Sequence, residues 1–438
     1  MLVNFKVKNF MAFSDWEDIS FLANNRVKDH EKSLISINNL NLLPVKGIAG
    51  MNGAGKSSLI RAIFCYYTLQ KFGSLALFND TSMNVINYFM GEHEDSQNWW
   101  EGSNMLFTSN MFNDAAKNIL FEVTFAIEDF FFVHFLELDA DLNIINEKIT
   151  IKKDIKDDGN WLTSLLSNKG TIFMFLKKIS TTNIENFISK SVDIFKVSSV
   201  KVYEKIPAIC KFLDNFIEQK MVFGQIMNSP NHFDRAKAQL KKYFSNSEME
   251  KLITMIAKTA DSKILSAHKN LTPSFRGKDN YEITLKLNNG EKTIAYKDLS
   301  VGTKKFVKIV MFAIYTVLEG GLFIGDELDM NLHPSLSKFI IDLFMNSEIN
   351  KKYGQFLFTS HVPYSFDELR IDQIALLYND DLKKNKLREL LELKKDLDVN
   401  LRSSIVFSKN YLSEVLGEHP KTADLSAIQE VLKNIERR

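Results

Sequence analysis

The residues whose types and spacing could do chemistry begin with Gly50-Met51-Asn52-Gly53-Ala54-Gly55-Lys56-Ser57. Glycines at these positions let backbone N–H groups turn inward on phosphate oxygens. The lysine can reach the β- and γ-phosphates, and the serine hydroxyl can meet Mg²⁺. Gly50, Asn52, Gly53, Ala54, Gly55, Lys56, Ser57 and the following Ser58 are therefore the candidate ligands of ATP, with Ser57 also on the metal. Hydrolysis needs a second set of groups. The run Gly321-Leu322-Phe323-Ile324-Gly325 ends in Asp326 and Glu327. Asp326 would hold Mg²⁺ through its water shell, while Glu327 would orient or deprotonate the attacking water. Taken alone, the two acids also fit a plain acidic loop after a core strand. A third candidate is Ser300-Val301-Gly302-Thr303, whose hydroxyl, free N–H groups and positive dipole end at a helix start suit a terminal phosphate. The same residues would also serve as an ordinary N-cap.

These groups need rigid elements behind them. Residues 43–49 read as a short buried strand delivering the loop, and Ser58 to Tyr67 as the helix whose N-terminus points at the nucleotide. Phe306, Ile309, Val310, Ala313, Ile314 and Val317 share one face of a helix after Ser300. Strands are expected at 322–325, 355–358 and 373–378. Alternation predicts two further strands at 3–8 and 17–21. It also predicts hairpins 121–127/131–138 about Glu128-Asp129 and 281–287/292–296 about Asn288-Asn289-Gly290. Helical spacing between about 155 and 270, as in Ile184, Phe187, Ile188 and Ile206, Ile209, Phe212, Leu213, Phe216, predicts a compact helical insertion. Residues 73–118 receive no assignment. The expected division is 1–150 for the first half of the nucleotide-binding head, 151–275 for the insertion, and 276–438 for the second half with a helical tail.

With 438 residues, 45% hydrophobic and 25% charged, the chain is long enough for two or three core-bearing units and is not a disordered polymer. A net charge of +1 excludes long-range attraction of nucleic acid over the whole surface. Cys65 and Cys210 have no metal or disulfide spacing, which points to a reducing compartment. The longest apolar run, Ile309 to Leu318, is too short to cross a bilayer, and the first ten residues lack the order of a signal peptide. A cytoplasmic protein with no membrane partner is expected.

The order of motifs is phosphate loop, long insertion, Ser-x-Gly helix start, apolar-Asp-Glu, then Thr359-Ser360-His361 after another apolar strand. It resembles the ATP-binding-cassette type of ATPase head found in structural-maintenance, recombination-mediator and double-strand-break-repair ATPases. It most resembles the stand-alone AAA-type ATPases of bacterial abortive-infection and anti-phage operons, relatives of OLD-type and PARIS-like proteins. The closer match is carried by Met1 to Asp15, Ser300 to Lys304, Asp326 to Pro334, Arg402, and Lys409 to Leu412. The resemblance implies an α/β ABC-type ATPase head: a mixed β-sheet with a P-loop core, an antiparallel β subdomain and a helical insertion. It implies a homodimer, or a higher homo-oligomer, closed through the ATP sites. Lys56, Glu327 and His361 would be catalytic, His361 sensing the γ-phosphate. Ser300, Gly302 and Thr303 would act on the partner's nucleotide. It further implies a sensor or scaffold role that controls a separate effector, a nuclease, with DNA or a phage protein as trigger. The alternative is a recombination-mediator ATPase that clamps DNA.

Leu299 departs from the anti-phage pattern, where an acid or polar residue is expected, and leaves the signature closer to the cassette form. Gln97 is the candidate by position for the glutamine that links metal to the helical lobe. Phe10 to Phe13 could lie near the adenine or belong to the core. His333 could face a second nucleotide or only shape its loop. The basic runs at Lys304-Lys305, 351–352, 383–386 and 394–395 read as solvated helix faces, and Trp99-Trp100 as core or a partner anchor. No glutamate followed by Asp-x-Asp marks a fused nuclease of the topoisomerase-primase type.

Overall fold

Alternating apolar residues make β1 (Leu2–Lys8) a strand with Leu2, Val3, Phe5 and Val7 buried. The computed structural model describes residues 1–37, 40–72, 112–114, 116–127, 130–140, 144–152, 161–168, 171–175, 221–223, 231–269, 281–287, 290–380, 384–396 and 407–413. In chain order β1 is followed by β2 (Glu17–Ser20), β3 (Ile35–Ile37), β4 (Leu40–Leu42), β5 (Val45–Gly50) and α1 (Lys56–Phe72). Next come β6 (Ile119–Ile127), β7 (Phe130–Leu138), β8 (Ile144–Lys152), β9 (Trp161–Asn168), β10 (Thr171–Phe175) and β11 (Met221–Phe223). Helices α2 (Asn231–Leu240) and α3 (Asn246–Ala260) lead to β12 (Ile264–Lys269), β13 (Tyr281–Leu287) and β14 (Gly290–Ala295). The remainder is α4 (Val301–Glu319), β15 (Gly321–Gly325), α5 (Pro334–Met345), β16 (Gly354–Thr359), β17 (Ile374–Asn379), β18 (Asn385–Glu389), α6 (Leu390–Asp396) and α7 (Phe407–Leu412).

Two sheets dominate. One is antiparallel in the order β10-β9-β8-β7-β6-β1-β2; the other runs β11-β15-β16-β5-β17-β18, parallel except for β18. Strands β5, β15, β16 and β17 carry buried residues on both faces, so these alternate between two cores rather than between core and water. Ile48, Leu322, Ile324, Leu357, Ala375 and Leu377 join the core that contains α1 and the antiparallel sheet. Val45, Ala49, Phe323, Phe356, Phe358, Ile374 and Leu376 join the core beneath α3, α4 and α5. The layers are thus antiparallel sheet, α1, parallel sheet, helices. Two buried polar links fix their orientation. Gln355 on β16 accepts from the Leu2 N–H (2.8 Å) and donates to the Leu2 carbonyl (2.9 Å). Tyr66 on α1 meets His134 Nδ1 on β7 at 2.7 Å.

The mixed α/β architecture with a P-loop core and an antiparallel subdomain is as expected. Strands stand where they are expected at 3–8, 17–21, 43–49, 121–127, 131–138, 281–287, 292–296, 322–325, 355–358 and 373–378, with ends shifted by a residue or two, and α4 carries the anticipated apolar face. Two expectations need correction. Residues 161–168 and 171–175, inside the stretch read as helical, are paired strands that extend the antiparallel sheet, and 221–223 and 264–269 in the same stretch are strands paired with β15 and β13. Asn168-Lys169-Gly170 between two apolar runs is a hairpin signal, and the open edge of β8 supplies the hydrogen-bond partners. Residues 385–389, read as part of a solvated helix face, are strand β18, drawn to the edge of β17 with Leu387 and Leu390 buried. Helices α2 and α3 do lie within the span read as helical. The stretches 184–188 and 206–216, the Glu128-Asp129 and Asn288-Asn289 turns, Gln97, Trp99, Trp100, Cys210 and Arg402 lie outside the described residues.

Candidate functional site

Strand β5 ends at Gly50, and the chain then winds through a loop before α1 starts at Lys56. Gly53 (φ 79°) and Gly55 (φ 102°) adopt left-handed backbone that side-chain-bearing residues rarely take. Phe13 is fully buried beneath this loop, its ring 3.3 Å from where a Cβ on Gly55 would stand, so the Phe10–Phe13 turn is core that floors the loop. Asn52 and Gly53 are exposed, Ala54 is buried, and Ser57 and Ser58 are half-buried. Lys56 is 5% exposed, and its Nζ donates to the carbonyls of Gly50 (2.6 Å) and Met51 (2.8 Å). Burial lowers its pKa to about 8, against the opposing pull of Asp326, Glu327 and Asp329.

Register brings the other half of the site to the same sheet edge. Strand β16 lies between β15 and β5, with Gly325 level with Phe358 and Thr359 level with Ile48. The residues just past these strand ends therefore converge. Ser57 Oγ donates to Asp326 Oδ2 (3.1 Å), and Thr359 Oγ1 donates to Asp326 Oδ1 (2.5 Å). The same Thr359 hydroxyl accepts from the Glu327 N–H (2.8 Å). Glu327 has φ 49°, a left-handed backbone at a non-glycine residue, and its half-exposed carboxylate lies 3.8 Å from His361 Nε2. The His361 N–H donates to Asp329 Oδ1 (3.3 Å). Lys56, Ser57, Asp326, Glu327 and His361, separated by up to about 300 residues of sequence, thus form one constellation through Thr359.

Ser300 is the N-cap of α4, its Oγ accepting from the Thr303 N–H (3.1 Å) and bonded to Thr303 Oγ1 (2.7 Å). Ser300 and Val301 are exposed, so this helix start is open to solvent. Gly302 allows a close approach: a Cβ there would stand 2.6 Å from the Asn331 carbonyl oxygen, which ties the helix start to the turn that follows the acids. His333 caps α5, with Nδ1 2.8 Å from Ser335 Oγ, and so shapes its own loop.

Asp326 and Ser57 offer a carboxylate and a hydroxyl 3.1 Å apart. Two hard oxygen donors, with the remaining positions left to water and phosphate, fit Mg²⁺. Among the described residues no group of three or more His, Cys, Asp or Glu side chains is placed to hold a metal on its own. Sequence reasoning gave Thr359 no individual role, although it begins the Thr359-Ser360-His361 motif. Its place between both acids appears only with the strand register. Thr359→Val should destabilise the fold by about 1–3 kcal/mol, because the Glu327 N–H and an Asp326 oxygen each lose a partner. Thermal melting measures the effect.

Residues 215–367 match the family model described as "AAA domain, putative AbiEii toxin, Type IV TA system". That span holds the Ser300 helix start, both acids and His361 but not the phosphate loop. No curated protein matches the chain. Among solved structures the chain is similar to an SMC head bound to the C-winged helix domain of ScpA, at 14% identity and TM-score 0.42, over 90% of this chain and 99% of that one. It is similar to the SMC head domain from Thermotoga maritima, at 12% identity and TM-score 0.37, over 89% and 98%. It is also similar to an SMC head domain with an extended coiled coil bound to the C-terminal domain of ScpA derived from Pyrococcus furiosus, at 12% identity and TM-score 0.39, over 91% and 98%. No helix among the described residues is long and apolar enough to cross a membrane.

Proposed function

We propose that the chain binds and hydrolyses ATP in an ABC-type head that closes as a homodimer around two nucleotides. The observation that carries this reading is the hydrogen-bonded series Ser57–Asp326–Thr359–Glu327 beside the buried Lys56. The loop N–H groups and Lys56 bind the phosphates, Asp326 and Ser57 hold Mg²⁺, and Glu327 takes the proton of the attacking water. A Mg²⁺ held by Asp326 and Ser57 would offset phosphate charge. Ser300, with Gly302 and Thr303 behind it, contacts the γ-phosphate held by the partner, and His361 senses the γ-phosphate held by its own chain. ATP then favours the closed pair by its differential contacts, each charge-assisted hydrogen bond contributing about 1.5–3 kcal/mol, and hydrolysis removes them. Light scattering with a non-hydrolysable ATP analogue and Mg²⁺ tests the dimer: the mass should double for the wild type and stay monomeric for Ser300→Arg. An unchanged wild-type mass with analogue bound would overturn it.

The cellular role we infer is that of an ATP-dependent sensor in an anti-phage, abortive-infection system that restrains or releases a separate effector, a nuclease. The matched family's association with toxin–antitoxin systems supports this. The same description favours a second reading, in which the chain is itself the toxic component. Growth arrest on expression of this chain alone would select the second reading. Protection from phage that requires both a neighbouring effector gene and Lys56 would select the first.

A further inference from the structure

Lys305, in the second turn of α4, is one of the basic residues that sequence alone assigns to a solvated face. Its Nζ instead donates to the carbonyls of Glu327 (3.1 Å) and Met330 (2.6 Å). Those carbonyls belong to the turn after β15, which holds two left-handed non-glycine residues, Glu327 (φ 49°) and Asn331 (φ 62°). Such backbone persists only where its surroundings hold it. Within the turn the Met330 N–H donates to the Glu327 carbonyl (3.1 Å) and the Leu328 N–H to the Thr359 carbonyl (3.0 Å), and three further holds come from neighbouring elements. Thr359 accepts the Glu327 N–H, Lys305 donates to the Glu327 carbonyl, and Gly302 leaves room for the Asn331 carbonyl. Both backbone polar groups of Glu327 are thereby fixed, one from β16 and one from the helix that begins at Ser300. Burial lowers the Lys305 pKa, and the nearby Asp329, Glu327 and Asp326 oppose that shift.

We infer that Lys305 is a positioning residue for ATP hydrolysis: it clamps the Glu327–Met330 turn onto the start of α4, and so sets where the Glu327 carboxylate sits when the Ser300 end of the helix meets a second copy of the chain. This rests on the ATPase reading above. A displacement of α4 at the dimer face is transmitted to the Glu327 backbone through the Lys305 side chain, beside the Gly302–Asn331 contact farther along the turn, which couples a chain's contact with its partner's nucleotide to hydrolysis of its own.

Steady-state ATP hydrolysis and fluorescent-nucleotide binding on the full chain test the inference with Lys305→Ala, Lys305→Met, which keeps most of the aliphatic stem, and Lys305→Arg. Loss of the two charge-assisted bonds should lower kcat by about tenfold or more with KM and nucleotide affinity within about threefold, in both Ala and Met variants. Arg should restore most of the rate. In a Glu327→Gln background the same substitutions should change residual turnover less than about twofold, since the clamp acts through that carboxylate. Wild-type kcat in Lys305→Met, or an undiminished loss in the Glu327→Gln background, overturns the inference while leaving the ATPase reading intact. A wild-type chain with no ATP turnover overturns both.

Discussion

Glu327→Gln is expected to lower ATP turnover by about 10²–10⁴-fold at saturating ATP while leaving nucleotide affinity within a few-fold of wild type. The amide keeps the volume and reach of the carboxylate but cannot accept the water's proton. The side chain is 46% exposed and stands at the edge of the site, so the change opens no cavity. The backbone there is held by Thr359 and Lys305 through main-chain atoms, which the substitution leaves in place. Binding and turnover should therefore separate. With hydrolysis slowed, the closed pair should outlive that of the wild type, visible as a dimer peak that persists in ATP rather than only in its analogue. Near-normal phosphate release from this variant would move general-base catalysis elsewhere, and His361, with Nε2 3.8 Å from the Glu327 carboxylate, is the next candidate.

How much of this was legible in sequence depended on how local the signal was. The phosphate loop is local: glycine, lysine and hydroxyl at fixed spacing have a meaning that does not depend on the rest of the chain. The parallel strands were legible as apolar runs bounded by turn residues, but not their order. That order is what puts Thr359 between Asp326 and Glu327, and no spacing over the 32 residues from Glu327 to Thr359 displays it. Lys305 and Lys46 were hidden for the same reason. Lys46 stands in the wholly buried strand β5, where a lysine contradicts its neighbours, and is reconciled only by the Asp372 carbonyl (2.7 Å) and Glu389, more than 300 residues away. Edge strands failed differently. In β18, Asn-Lys-Leu-Arg-Glu carries one buried leucine amid polar residues, so pairing with β17 rather than periodicity determines its conformation. In β9 and β10 the hairpin signal was local but was overridden by the helical spacing farther along the chain.

Lys56→Ala is expected to abolish nucleotide-dependent behaviour altogether, with ATP affinity reduced by at least about a hundredfold, as expected when one partner of a buried, hydrogen-bonded charge pair is removed. The ammonium is buried and bonded to the Gly50 and Met51 carbonyls, and burial lowers its pKa to about 8. A phosphate oxyanion supplies the opposite charge that burial makes valuable. Alanine is a strong helix former at the first position of α1, so the fold should survive and thermal melting should change little beside the loss of binding. Isothermal titration with ATP and Mg²⁺ measures the first effect. The same variant then tests whether the pocket is shared. Lys56→Ala and Ser300→Arg chains should each be inactive alone, since every homodimer carries the same defect in both sites. A mixed dimer retains one site with an intact lysine from one chain and an intact serine from the other. Equimolar mixing should therefore restore up to about half of wild-type turnover, because like chains do not close on each other and each mixed pair holds one sound site of two. No recovery on mixing, with both variants folded and the wild type active, would show that each chain completes its own site and that the closed pair is not the catalytic form.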